Sequence, residues 1–183
     1  MKVLLINGSP HEKGCTYTAL SLIAGELKAQ GIETEILHVG GQPVGGCIGC
    51  GGCRSGNGCV FGGVVNEAIE KAKTADAFVF GSPVHYASAA GNMASFMDRL
   101  AYAGGKYLAY KPAAVCCSAR RAGTTSTLDQ LVKYPQFFHM PLVNGSYWAM
   151  VHGSNPEQVL QDAEGCACLL YTSDAADDLL CVD

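Results

Sequence analysis

Strand-like and helix-like segments alternate along the chain, and that alternation constrains the fold more than any other feature. Strands are predicted over 2–6, 32–39, 76–81, 113–118 and 141–148, with helices over 16–30, 64–73, 90–103 and 124–138 between them. In the first helix Ala19, Leu20, Ile23, Ala24 and Leu27 share one face and Gly31 ends it; in the second, Glu67 and Glu70 face outward. The strands read as apolar runs without polar alternation, the pattern of strands covered on both faces. The expectation is an α/β, doubly wound three-layer sandwich around a five-stranded parallel sheet, in one domain over residues 1–165. Ligands of such sheets bind beyond the carboxyl ends of the strands, where strand order reverses.

Composition narrows the classes of function. At 183 residues, 49% hydrophobic and 15% charged, the chain suits one globular domain, and no apolar run reaches the roughly 18 residues of a membrane span. The N-terminus carries one basic residue and a short apolar run, so it reads as a first strand and not a signal peptide, which predicts a cytoplasmic protein without a membrane partner. The formal net charge is −4, but Asp174, Asp177, Asp178 and Asp183 crowd the last ten residues and the rest is neutral. With no basic stripe, no nucleic-acid partner is expected. Ten cysteines in such a chain point to ligands and buried thiols instead of a disulfide framework.

Three loops follow predicted strands. The first, Asn7 to Thr18, enters a helix and offers backbone N–H groups with the hydroxyls of Ser9, Thr16 and Thr18, a phosphate-binding arrangement that matches neither a Walker motif nor a dinucleotide fingerprint. The second, Gly81 to Gly91, is stiffened by Pro83; His85 and Tyr86 offer flat faces, and small alanines keep the space narrow enough for a planar ring. In the third, Ser118 to Ser126, hydroxyls and N–H groups can close over a ring's polar edge, and Arg120 can stabilise an electron-rich ring or a phosphate.

The loop at 40–63 holds Cys47, Cys50, Cys53 and Cys59 with spacing C-x2-C-x2-C-x5-C amid glycines that free the backbone to wrap an inorganic core. Three cysteines at successive x2 spacing favour a [4Fe–4S] cluster. Zinc, whose ligand pairs are more often separated by a longer spacer, and a loop of free thiols remain the alternatives. Cys15 reads as a packing residue, and Cys116 and Cys117 as inert core thiols.

In combination these pieces resemble the NADPH-dependent FMN reductase family of flavodoxin-like proteins, in its branch related to iron–sulfur flavoproteins. The resemblance spans about 1–165 and is carried by Gly8-Ser9-Pro10 with Thr16, Ser82-Pro83-Val84 with Gly91, Phe96-Met97-Asp98-Arg99, the cysteine motif, and Ser118 to Thr125. It implies a flavodoxin-like fold with FMN phosphate on Ser9, Gly14, Thr16 and Thr18. The isoalloxazine would lie on Pro83, Val84, His85 and Tyr86, bordered by Ser118, Arg120 and Gly123. Family members often carry Tyr where this chain has His85.

The resemblance further implies an NAD(P)H oxidoreductase passing electrons through FMN and a [4Fe–4S] cluster to a small-molecule or protein acceptor, with no indispensable protein acid or base, as a homodimer or dimer of dimers. The rival from another class is a flavodoxin-type electron carrier without its own substrate site, and a third is a redox sensor. Residues 166–183, with Cys166, Cys168 and Cys181, resemble translated sequencing read-through and are expected to be non-native, with the true C-terminus missing.

Overall fold

The computed structural model describes residues 1–170. Five parallel strands, β1 (Lys2–Asn7), β2 (Glu33–His38), β3 (Ala77–His85), β5 (Ala113–Ala119) and β6 (Met150–His152), form a sheet in the order β2-β1-β3-β5-β6. A two-residue strand, β4 (Ser88–Ala89), folds back antiparallel on the end of β3. The helices are α1 (Cys15–Ala29), α2 (Val64–Thr74), α3 (Gly91–Gly104), α4 (Thr124–Phe137) and α5 (Pro156–Gln161). Among the described residues no helix is long and apolar enough to cross a membrane.

Side chains alternate across each central strand, so adjacent residues feed opposite layers. Val3, Leu5, Val79, Ala114 and Cys116 pack with Ala19, Leu20, Ile23, Ala24 and Leu27 of α1 and with Val159 of α5. Leu4, Ile6, Phe78, Phe80, Val115 and Cys117 pack on the other face with apolar residues of α2, α3 and α4. The doubly wound sandwich is therefore as expected, with strand order reversing between β1 and β3.

Several boundaries differ from the sequence-based expectation, each for a physical reason. The strand β2 lies at the sheet edge, so it is only partly covered and carries Glu33 and Glu35 in surface ion pairs with Lys2. The third strand runs on to His85, because Ser82 and Pro83 keep register with Cys117 and Ser118. The predicted fifth strand at 141–148 is split. Val143 N donates to Ala113 O at 2.8 Å, Asn144-Gly145-Ser146 then leaves the edge, and pairing resumes only at Met150. Tyr147 and Trp148 are exposed in the gap.

Residues 163–170 are helical, with Leu169 fully buried beside Val151 and Val159. The expectation of a non-native tail falls mainly on 171–183, Cys181 included, which lie outside the described residues.

Phe80 is fully buried and stacks with Phe78 at a ring-centroid distance of 5.9 Å. Phe80→Ala is expected to lower stability by about 3–5 kcal/mol in urea unfolding, the usual cost of an aromatic-sized cavity in a core.

Candidate functional site

Beyond β1 the chain folds tightly on itself. The buried Asn7 accepts from Ser9 N at 3.1 Å through Oδ1 and donates Nδ2–H to Glu12 O at 3.0 Å, while His11 N donates to Ser9 Oγ at 3.1 Å. This loop delivers Gly14 to the start of α1 with no side chain to cap the helix. The first intrahelical bond is Thr18 N to Gly14 O, so the N–H groups of Cys15, Thr16 and Tyr17 have no helical acceptor. Thr16 is buried, and its hydroxyl lies 2.8 Å from that of Ser118, which arrives on β5.

One open cavity of about 270 Å³ forms where these strand ends meet. Ser9, Thr16, Pro83, Val84, His85, Ser118 and Arg120 line it, together with His11, Cys15, Ala119, Gly153 and Ser154, and no carboxylate does. The sequence-based set therefore converges in large part. Gly14, Thr18, Tyr86 and Gly123 do not reach the wall: Thr18 Oγ1 donates back to Gly14 O at 3.2 Å, and the Tyr86 ring projects fully into solvent. His11, Gly153 and Ser154 were not expected. Ending the fifth strand at 148 hid the turn after β6, and a lone histidine between Pro10 and Glu12 gave no signal of its own.

The β3–β4 hairpin is held by α4. Tyr86 and Ala87 both adopt positive φ (52° and 58°), a turn that disfavours residues with a Cβ. Ser126 Oγ donates to Ala87 O at 2.8 Å, and Gln130 Oε1 accepts from Ser88 Oγ and Ala89 N. Gly123 is required beneath it: its φ is +95°, and a Cβ there would lie 2.8 Å from Ala87 Cα.

The cysteine loop starts where it touches the first loop. A Cβ on Gly40 would collide with the carbonyl oxygens of Gly8 and Ser9, and His38 Nε2 lies 2.7 Å from Ser9 O. Asn92 of α3 donates to Gly40 O and Gln42 O, and Asn66 of α2 exchanges two bonds with the Cys59 backbone. Between loop and α3 lies a cavity of about 350 Å³, lined by Cys47, Cys50, Cys53, Cys59, Arg54 and Arg99, with Phe61 and Tyr102 on its apolar side.

All four cysteines thus line one space whose walls hold no carboxylate or imidazole, a soft donor set suited to iron–sulfur or zinc chemistry. They are not drawn together: among the described residues no three His, Cys, Asp or Glu side chains form a group able to hold a metal ion. Cys47 and Cys50 are exposed, on a loop whose Gly49, Gly51, Gly56 and Gly58 take positive φ.

A family model described as NADPH-dependent FMN reductase matches residues 1–155. An iron-sulfur flavoprotein of Methanocaldococcus jannaschii is 33% identical over 99 residues, covering 54% of this chain and 51% of that protein. One from Archaeoglobus fulgidus is 36% identical over 99 residues, covering 54% and 48%. The chain thus spans about half the length of the curated relatives it matches. Among solved structures, RosB with a bound riboflavin-5'-phosphate derivative has a TM-score of 0.75 at 16% identity, covering 98% of this chain and 80% of that one. An apo NADH:FMN oxidoreductase has a TM-score of 0.67 at 20% identity, covering 97% and 87%. An archaeal flavodoxin has a TM-score of 0.60 at 13% identity, covering 95% and 99%. These likenesses establish a flavodoxin-like fold.

The thiols differ sharply in environment. Burial pushes Cys117 up to about 12 and Cys116 further, so in the folded chain both stay protonated well above the pH at which an exposed thiol ionises. Iodoacetamide at pH 8 is expected to label Cys47 and Cys50 in the folded, metal-free protein and to spare Cys116 and Cys117 until denaturant is added, as read by peptide mass spectrometry. Because only the unfolded chain ionises these two thiols, stability is complete below the ordinary thiol value of 9.0 and declines above it. The unfolding free energy from urea titration should fall between pH 9 and 10 by about 1 kcal/mol per thiol.

Proposed function

The chain belongs to the NADPH-dependent FMN reductase family, and from that membership we propose that it is an FMN-dependent oxidoreductase. It takes electrons from NAD(P)H or a protein donor and passes them, with a [4Fe–4S] cluster in the cysteine cavity, to a small-molecule or protein acceptor. The observation that carries this reading is the convergence of the loops after β1, β3 and β5 on one carboxylate-free cavity at the uncapped start of α1.

Each wall has a task. The free N–H groups of the first turn of α1, with the hydroxyls of Ser9, Thr16 and Ser118, form a neutral donor set for the FMN phosphate; the helix dipole adds to the attraction. The bond between Thr16 and Ser118 orients both hydroxyls before any ligand arrives, which lowers the ordering cost of binding. Pro83, Val84 and His85 supply the flat wall at the end of β3, and Tyr86 at the hairpin tip is free to cover the ring. Gly14 keeps the helix start open, Gly123 lets the hairpin close down, and Thr18 ties the helix start through its bond to Gly14 O.

FMN, when bound, supplies hydride acceptance from a nicotinamide and release of single electrons. The cluster would be held by Cys47, Cys50, Cys53 and Cys59 and would supply a one-electron relay. No protein acid or base is needed. Arg120, exposed on the cavity rim, places positive charge beside the ring's electron-rich state.

Four measurements test the reading. Protein purified without air should show flavin absorption bands, a broad iron–sulfur shoulder and about four irons per chain; absence of flavin would sink the proposal. It should oxidise NAD(P)H with ferricyanide or a quinone as acceptor, where a pure electron carrier would show almost none. Thr16→Val is expected to weaken FMN binding by about tenfold to a hundredfold in fluorescence titration, the loss of one hydrogen bond to a charged group. Arg120→Ala should lower the flavin midpoint potential, and an unchanged potential would remove that role.

A further inference from the structure

Among the described residues Arg99 is the one charged side chain that is buried, at 7% exposure. A guanidinium withdrawn from water is costly unless an anion or a full set of acceptors compensates it. Its neighbour Asp98 does not serve, being engaged by the Tyr134 hydroxyl at 2.7 Å. Instead Nε–H donates to Cys59 Sγ at 3.3 Å, Nη1–H to Gly45 O at 3.4 Å and Nη2–H to Gly62 O at 3.0 Å. The Phe61 ring lies 5.7 Å from Cζ. Every one of these contacts is on the cysteine loop: one before its first thiol, one at its last, two just beyond. The helix that carries Arg99 is rooted in the core by Met93, Phe96, Met97 and Leu100, so the guanidinium is held on a rigid element.

We infer that Arg99 is the positioning residue of the four-cysteine site, closing the loop at both ends and presenting a fixed N–H and positive charge to the sulfur of Cys59. The inference rests on the iron–sulfur reading above and extends it to the tuning of the cluster. Four thiolates around an iron–sulfur cube leave a net negative charge that grows by one on reduction. A fixed cation with a hydrogen bond to a ligating sulfur therefore stabilises the reduced form more and raises the potential. Arginine suits the position because its planar fork serves three acceptors at once, whereas a lysine ammonium brings the charge without that fork.

The test compares the unsubstituted 183-residue chain with Arg99→Met and Arg99→Lys, each reconstituted with iron and sulfide without air. Iron content, FMN content and the cluster midpoint potential by spectroscopic titration are read for all three. In Arg99→Met the reduced-to-oxidised ratio at a fixed potential should fall about tenfold, a midpoint lower by about 59 mV for one electron. Arg99→Lys should lie between Arg99→Met and the wild type. If Arg99→Met keeps FMN but loses iron, restoration of iron by Arg99→Lys supports the assignment, and loss in both overturns the role of charge. Potentials unchanged in both variants overturn the assignment while leaving the cluster reading intact. A wild type that binds FMN and no iron rejects the cluster reading itself, and Arg99's role with it.

Discussion

Burial of the sheet from both sides is the constraint on which everything else rests. Leu4 and Ile6 belong to one layer and Val3 and Leu5 to the other, so no central strand has a face left for polar chemistry. The buried polar side chains, Arg99 of α3 apart, are correspondingly confined. Asn7, Ser9, Ser82 and Ser118 sit at or beyond the carboxyl ends of strands, and Thr16, Thr124 and Thr127 in the first turns of the helices that follow. Asn7, Ser9, Thr16, Ser82, Ser118 and Thr127 each have a partner at that edge; Ser82 Oγ, for example, accepts from Ala90 N and donates to Pro83 O. The fold concentrates its hydrogen-bonding capacity where strand order reverses, and the candidate flavin cavity lies there.

The two candidate sites are coupled through backbone contact. Gly40 abuts Gly8 and Ser9 so closely that a methyl group does not fit, and the same residue's carbonyl is held by Asn92 at the start of α3. The beginning of the cysteine loop thus shares its footing with the phosphate loop. A few turns along the same helix Arg99 holds the loop's far end. One helix therefore fixes both limits of a glycine-rich segment that has little core of its own, and the chain orders an exposed loop without a large apolar cost.

How much was legible depended on whether a residue's role followed from its local position. Ser9, Thr16 and Ser118 were readable because a hydroxyl just after an apolar strand or at a helix start has few other uses. Thr18 looked equivalent, but a hydroxyl one turn into a helix bonds the carbonyl four residues back. Tyr86 was read as a ring contact, and its place at a hairpin tip came from the continuation of β3 through Pro83. Gly153 and Ser154 were missed because the edge strand is broken at Asn144–Ser146 and resumes later than its apolar run implied.

The sequence by itself determined the layer architecture, the strand-end loops that meet at the candidate cavity, the family and the thiol character of the second candidate site. Periodicity, strand-end position and cysteine spacing are local properties, and they survive in one dimension. Only the tertiary structure decided that Thr16 meets Ser118 across 102 residues, that Gly40 presses on Ser9, and that Arg99 faces Cys59 and not a carboxylate. Those contacts arise from how helices settle on the twisted sheet, a balance of packing over many side chains that no single stretch of the chain records.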